Sequence, residues 1–227
     1  AGGSALSVLA WLGFMAAAQS QLTLLAVIVT LAAALVGFLL FNMRHPWRSR
    51  ASVFMGDAGS MSLGFFIAWC VVALSQSPTA MVSPVAYGWL LALPVLDTLS
   101  LMVRRVRKGR HPFSADRNHL HHIFLRAGFT PGQITLLLML GVAGLGAVGI
   151  TFSLAGVPDS LLLLGLFGVA ALHDLFVRSA WRTSKALRRL RRSTLEDLKA
   201  QRHPRLAVRL RQRPLVGGIR YGVAVAG

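Results

Sequence analysis

A single aspartate between two glycines is the first feature of this sequence that could take part in chemistry. Gly56, Asp57 and Gly59 lie at the start of a long apolar segment, and Asp57 is the only acidic residue in residues 42–57, which also hold three arginines. Glycines let the backbone approach a phosphate closely, and a carboxylate can hold a Mg²⁺ ion that bridges phosphate oxygens. An aspartate here is also a common helix N-cap. The two roles are compatible, and spacing alone favours the cap.

A second polar stretch holds three histidines within four residues. Its charged and titratable residues are Asp116, Arg117, His119, His121 and His122. Zinc usually takes its ligands from spaced pairs of residues, so a zinc site here would need Asp116 or His45 to complete it. Histidines beside an arginine could instead bind a diphosphate, as hydrogen-bond donors or as a proton source. A solvated polar loop without chemistry is the third interpretation.

Three further polar residues lie within apolar segments. Asp97 follows Pro94 by three residues, and charged side chains inside a membrane span tend to face the bundle interior or a water-filled path. The sequence leaves open whether Asp97 is structural, paired with a hydroxyl such as that of Ser100, or functional. His173 and Asp174, near the end of the last apolar segment, are interpreted as interfacial residues rather than ligands.

The elements that must position these residues are six long apolar segments. Crossing a bilayer takes about 20 residues of helix. The segments are residues 2–18, 22–41, 58–75, 82–103, 132–153 and 160–178. The first is short, but six such segments leave too little polar surface to cover them in a soluble protein. We therefore predict an all-α fold, a polytopic bundle of about six transmembrane helices.

Composition supports a membrane protein over a nucleic-acid binder. Hydrophobic residues make up 55% of the 227 residues, yet the formal net charge is +17. A nucleic-acid-binding domain would normally carry such charge throughout its fold, whereas here apolar and basic residues are segregated along the chain, as a bilayer imposes. We therefore expect no nucleic-acid partner. The single Cys70 lies in an apolar segment and indicates no redox compartment.

The basic residues predict which side of the membrane each loop occupies. All 24 lysines and arginines lie in three regions, with three in residues 42–57, seven in residues 104–131 and fourteen from Arg178 to Arg220. The other connectors, residues 19–21, 76–81 and 154–159, hold none. Six alternating crossings put the three basic regions on one side, and the positive-inside rule makes that side cytoplasmic. We predict a bundle over residues 1–178, with cytoplasmic motif loops at 42–57 and 104–131, and a basic cytoplasmic tail over residues 179–227.

The basic tail has two interpretations. Residues 178–213 repeat arginine and lysine with alanine, leucine and valine between them, which suits a helix lying on anionic lipid headgroups. RNA binding would need a similar charge. Because the tail follows a membrane helix directly, we favour anionic membrane lipids as its partner.

The two motif loops resemble those of the polyprenyl-phosphate N-acetylhexosamine-1-phosphate transferases, which are glycosyltransferases of family 4. Residues 54–60 (Phe-Met-Gly-Asp-Ala-Gly-Ser), followed by Leu63-Gly64-Phe65, resemble the family's magnesium-site loop. Residues 112–122 resemble its His-x-His-His loop. The resemblance extends to about residue 190 and is greatest to the branch that transfers N-acetylglucosamine 1-phosphate from its UDP-sugar donor to undecaprenyl phosphate. The muramoyl-pentapeptide branch usually has three consecutive histidines, which argues against that substrate.

The resemblance implies a role for each motif residue. Asp57 would hold Mg²⁺, with Mn²⁺ as the alternative ion, and would act in catalysis with His119, His121 and His122. Arg117, Asp116, Gly56 and Gly59 would bind substrate, with the histidines and Arg117 on the donor's diphosphate. The implied location is the bacterial inner membrane, and the implied pathways are cell-wall and lipopolysaccharide biosynthesis. The sugar, the polyprenyl length and an oligomeric state stay open.

The resemblance also implies that parts of the family's site lie outside this sequence. Family members have about ten or eleven spans, and two aspartate-rich loops that precede these motifs have no counterpart here. Because the chain begins with Ala1, we interpret it as the C-terminal portion of such an enzyme and expect it to be inactive alone. A non-catalytic membrane scaffold or remnant is the alternative. A transporter would need polar residues along several spans, and here only Asp97 and a few hydroxyl groups qualify.

Overall fold

The computed structural model describes residues 2–42, 53, 55–113 and 119–202, with side chains described as far as residue 180. This part of the chain contains helices and no strand. The helices are α1 (Gly2–Ala18), α2 (Leu22–Asn42), α3 (Gly56–Ser75), α4 (Pro84–Val106), α5 (Leu120–Ala127), α6 (Pro131–Leu154) and α7 (Asp159–Arg202). The predicted all-α fold is therefore confirmed.

Five of these helices are long and apolar enough to cross a membrane: α2, α3, α4, α6 and residues 159–180 of α7. The sixth predicted segment, α1, is an apolar helix of 17 residues. At about 1.5 Å per residue it is about 25 Å long, slightly less than a typical hydrocarbon core of about 30 Å. Among the described residues there are thus five candidate spans and, as the sequence indicated, a first segment that is short.

The short helix α1 packs against four other helices, α2, α3, α4 and α6. Its residues Val8, Leu9, Leu12 and Met15 are almost completely buried. They join a core to which α2, α3, α4 and α6 each contribute buried apolar side chains, including the Tyr87 ring of α4. Apolar residues therefore cover α1 on several sides, whereas Phe14 on its remaining face is 58% exposed.

Close contact between α4 and α6 depends on glycines. A Cβ at Gly149 would lie 2.4 Å from Cβ of Trp89, and a Cβ at Gly146 would lie 2.3 Å from a methyl of Leu90. Only glycine fits at such distances, so these positions let the two helices approach closely. Trp11 of α1 also reaches α6, where its indole N–H donates to the carbonyl of Ala143 at 3.1 Å.

Hydrogen bonds between connectors identify one end of the bundle. The amide of Gln21, after α1, donates to the Ser77 hydroxyl after α3. The backbone N–H of Ser83 donates to the Ser153 hydroxyl at the end of α6, at 3.0 Å. The connectors that lack lysine and arginine therefore lie together. Helix direction alternates along the chain, so the start of α3 and the end of α4 lie at the opposite end.

The chain divides into two compact units, Ala1–Trp181 and Arg182–Gly227. The motif residues that the structure describes all lie in the first unit. Of the second unit, residues 182–202 are helical.

Candidate functional site

A cavity of about 730 Å³ lies where α1, α3, α4 and the beginning of α5 meet. Most of its lining is apolar, from residues such as Leu63, Ile67 and Met102. The titratable side chains on its wall are Asp97, His119 and His121. The cavity thus combines an apolar wall with a small group of residues able to exchange protons or bind an anion.

Asp57 occupies the first turn of α3 and is not its N-cap. The helix begins at Gly56, and the N-cap position is held by Met55, whose side chain makes no capping bond. The predicted capping role of Asp57 is therefore wrong. Its carboxylate is exposed, where a negative charge interacts favourably with the positive end of the helix dipole.

The two positions near Asp57 are occupied by glycine for different structural reasons. Gly56 has φ +69°, a conformation that side chains rarely adopt, so glycine sets the backbone direction at the start of α3. A Cβ at Gly59 would lie 3.0 Å from Cγ of Met55. Both glycines shape the turn around Asp57; their predicted role in substrate binding stays a prediction.

Residues on both sides of Asp57 line the same cavity as the histidines. Met55 and Ser60 of the first motif lie on its wall together with His119 and His121 of the second. Asp57 itself is not part of the wall. The structure thus brings the two motifs, more than 50 residues apart in sequence, to one end of the bundle and around one cavity.

The histidine motif lies on a helix that the sequence did not predict. Residues 104–131 were predicted as a loop, but α5 spans Leu120–Ala127 within them. Leu120 and Ile123 of α5 are buried against Val177 of α7 and neighbouring apolar residues. The helix ends at Gly128, whose φ of +99° is typical of a glycine C-cap. Apolar residues at spacing i, i+3 before a glycine were the available signal.

The start of α5 groups the three imidazole rings. His119 is the N-cap residue of the helix, and His121 and His122 lie in its first turn. The ring of His121 is stacked with that of His119 at a centroid distance of 5.7 Å and lies 4.1 Å from that of His122. One short helix therefore presents all three histidines together.

His121 is held neutral at physiological pH. Partial burial of its ring, together with the nearby imidazoles of His122 and His119, lowers its pKa from 6.5 to about 4, against a smaller opposite effect of Asp97. A neutral imidazole has one N–H donor and one acceptor. His121 can therefore donate a hydrogen bond to an anion without adding a positive charge.

Asp97 holds the histidine motif against α4. Its carboxylate oxygen Oδ2 lies 3.0 Å from Nδ1 of His119, and Oδ1 accepts the backbone N–H of Leu120 at 2.9 Å. The predicted partner Ser100 contacts Asp97 differently, because its hydroxyl donates to the backbone carbonyl of Asp97 at 3.2 Å. The carboxylate thus belongs to the candidate site, a connection that sequence reasoning did not find.

The arginines at the end of α4 also stabilise this region. Arg104 donates from Nε to the carbonyl of Ser100 at 2.9 Å. Arg105 donates to the carbonyl of Pro112 across the turn that follows the helix. This second bond fixes the path of the chain as it leaves α4 toward the histidine motif.

Three residues considered for the site lie outside the described residues: Asp116, Arg117 and His45. Within residues 2–42, 53, 55–113 and 119–202 no three histidine, cysteine, aspartate or glutamate side chains are grouped as they would be around a metal ion. The zinc interpretation, which needed Asp116 or His45, therefore stays a hypothesis.

The two residues predicted to be interfacial differ in their surroundings. Asp174 pairs with Arg178 one turn later on α7. His173 is half-buried, and within the described part of the chain neither ring nitrogen has a hydrogen-bond partner.

Comparison with known proteins confirms the resemblance that the motifs indicated. Residues 1–75 match the family described as glycosyl transferase family 4. The chain is 38% identical over 161 residues to the undecaprenyl-phosphate alpha-N-acetylglucosaminyl 1-phosphate transferase of Salmonella typhi, covering 70% of this chain and 44% of that protein. The protein of the same name from Pasteurella multocida (strain Pm70) is 33% identical over 181 residues, 80% of this chain and 51% of the relative.

The chain therefore spans about half the length of the curated relatives it matches. The alignments with these two relatives extend over 161 and 181 residues, so the similarity continues beyond residues 1–75, which match the family. No solved structure matches this chain.

Proposed function

We propose that this protein, whose residues 1–75 match glycosyl transferase family 4, transfers a sugar 1-phosphate to a polyprenyl phosphate. Its relatives are named for transfer of N-acetylglucosamine 1-phosphate to undecaprenyl phosphate. The observation that carries the proposal is the convergence of the Gly-Asp-Ala-Gly motif and the His-x-His-His motif around one cavity.

The proposed donor is a UDP-N-acetyl sugar, with UDP-N-acetylglucosamine as the first choice. A phosphate oxygen of the polyprenyl phosphate attacks the β-phosphorus of the donor, and the bond from that phosphorus to the oxygen bridging to UMP breaks. The products are UMP and a lipid-linked diphospho-sugar. Phosphoryl transfer of this kind depends mostly on positioning and charge neutralisation.

Mg²⁺ is the proposed metal ion, with Mn²⁺ as the alternative, and Asp57 is its proposed ligand in this chain. The exposed carboxylate in the first turn of α3 is the hard oxygen donor that Mg²⁺ prefers. One carboxylate is too few for a complete magnesium site, so phosphate oxygens and water would supply further ligands. When bound, the ion would neutralise charge that develops on the diphosphate.

The histidines and Arg117 are the proposed diphosphate-binding group. His121 would donate a neutral hydrogen bond, since its pKa of about 4 leaves it uncharged at pH 7. Arg117 would add a positive charge suited to bidentate phosphate binding. Asp116, Gly56 and Gly59 are the further proposed substrate-binding residues.

The acceptor lipid and the membrane define the proposed orientation. The apolar wall of the cavity, including Leu63 and Leu93, suits the isoprenoid chain next to its phosphate. The two motif loops and the basic tail would face the cytoplasm of a bacterial inner membrane, with the tail on anionic lipids. There the enzyme would serve cell-envelope polysaccharide biosynthesis.

The proposal is tested by measuring UMP release from UDP-N-acetylglucosamine and undecaprenyl phosphate, with and without Mg²⁺. Because the chain spans about half of its relatives' length, we expect release from a full-length protein that contains these residues and none from the 227-residue chain alone. A full-length protein that releases no UMP from any UDP-N-acetyl sugar would refute the proposal and favour a non-catalytic scaffold.

A further inference from the structure

A carboxylate within a membrane helix needs partners. The side chain of Asp97 lies in α4, in the turn after Pro94, and is only 17% exposed. An ionised carboxylate in such a place is costly unless hydrogen bonds compensate for the loss of water. The residues that form these hydrogen bonds therefore indicate the role of Asp97.

Both carboxylate oxygens of Asp97 are engaged by the histidine motif. One lies 3.0 Å from Nδ1 of His119, and the other accepts the N–H of Leu120 at 2.9 Å. These partners are 22 and 23 residues away in sequence, so the bonds join two separate elements. His119 makes no side-chain capping bond of its own, and Asp97 satisfies a first-turn N–H of α5 in its place.

The bond to His119 determines which ring nitrogen carries hydrogen. An ionised carboxylate can only accept hydrogen bonds, so Nδ1 of His119 must be the donor. In the neutral ring, Nε2 is then an acceptor with a free lone pair. His119 lines the cavity, and its tautomer decides whether it offers a ligand a lone pair or an N–H.

We propose that Asp97 is a positioning residue that fixes the tautomer and orientation of His119 for the nucleotide-sugar diphosphate. This inference rests on the proposed function for its ligand, but the hydrogen bond itself does not. Because the same carboxylate holds the start of α5, Asp97 also sets the position of His121, which stacks on His119. One side chain of α4 thereby organises the whole histidine group.

The Asp97→Asn substitution separates positioning from helix capping. The asparagine oxygen can still accept the N–H of Leu120, so the α5 connection is retained. Its NH₂ group would then face Nδ1 of His119 and donate to it, which moves the ring hydrogen to Nε2. Asp97→Ala removes both bonds. Asp174→Asn is the matched control, since it removes an acidic side chain whose ion pair lies within α7.

The first measurement is the ¹⁵N NMR spectrum of histidine-labelled 227-residue protein in detergent, with the His119 signals assigned by a His119→Gln variant. We expect His119 to carry hydrogen on Nδ1 in the native chain and on Nε2 in Asp97→Asn, with no change in Asp174→Asn. A native chain with hydrogen on Nε2, or an unchanged tautomer in Asp97→Asn, would overturn the inference.

The second measurement is kcat/KM for the UDP-sugar in full-length protein. Residues that orient a functional histidine typically contribute about 10–100-fold to activity, and we expect a loss of that size in Asp97→Asn with an unchanged melting temperature. A changed tautomer with native kcat/KM would overturn the proposal that Asp97 positions His119 for the diphosphate, and would leave Asp97 only its structural contact with α5. A native protein without transferase activity would refute the proposed function alone, because the NMR result still decides the Asp97–His119 bond.

Discussion

Substitution of Asp57 by asparagine distinguishes a metal ligand from a residue that only stabilises its helix. The structure excludes the capping role, so the remaining structural contribution is the interaction of the carboxylate with the α3 dipole. For an exposed side chain this contributes about 0.3–1 kcal/mol to folding. The Asp57→Asn change keeps the size of the side chain and removes its charge, so the protein should remain folded.

The catalytic loss should be much larger if Asp57 holds Mg²⁺. Loss of one preorganised group that stabilises charge in a transition state costs about 10²–10³ in kcat, or about 2.7–4 kcal/mol. We therefore expect kcat of full-length Asp57→Asn to fall by at least about 100-fold. The assay is UMP release at increasing Mg²⁺, with the melting temperature measured on the same preparation.

Asp159 provides a matched control for this experiment. It is exposed in the first turn of α7, as Asp57 is in the first turn of α3, but at the opposite end of the bundle. Asp159→Asn should change helix-dipole energy equally and leave turnover unaltered. Native turnover and Mg²⁺ dependence in Asp57→Asn, or an equal loss of turnover in both variants, would refute the metal-ligand assignment.

Three further predictions concern packing, protonation and topology. Gly149→Ala places a methyl 2.4 Å from an α4 side chain and should destabilise the fold by about 1–3 kcal/mol. The control Gly144→Ala adds a methyl with nothing within 4 Å and should not destabilise it. The melting temperatures of the two variants in detergent test this prediction. The NMR signal of His121 should change near pH 4 and not near pH 6.5. Because its folded pKa is below the unfolded value, its contribution to stability is complete above about pH 6.5 and decreases as the pH falls toward 4. A membrane-impermeant thiol reagent on intact cells should label Ala80→Cys and not Ser49→Cys; the reverse result would overturn the cytoplasmic assignment.

The long helices could be predicted from sequence because the bilayer imposes a simple requirement. Each predicted segment begins within two residues of a helix in the structure, since long apolar runs have few other solutions. Thr130 and Gln133 even form a capping box at the start of α6. What hydropathy could not predict was that this short helix, α1, packs against α2, α3, α4 and α6.

The candidate site was predictable only in part. The motifs identified Asp57 and the histidines, and the family resemblance that they carried is confirmed. Helix α5 was missed because its eight residues are too few to give a membrane signal, although the i, i+3 spacing of Leu120 and Ile123 before Gly128 is helical. The bond between Asp97 and His119 joins residues 22 positions apart, and no local pattern encodes such a contact.

The position of Asp57 becomes understandable when the ends of α3 and α5 are considered together. Met55, just before α3, and His119, just before α5, both line the cavity, so two helix N-termini with positive dipole ends lie beside it. That arrangement suits an anionic diphosphate. A carboxylate in the first turn of α3 would repel the same ligand unless a cation lay between them. A metal ion held by Asp57, as proposed above, would offset that repulsion.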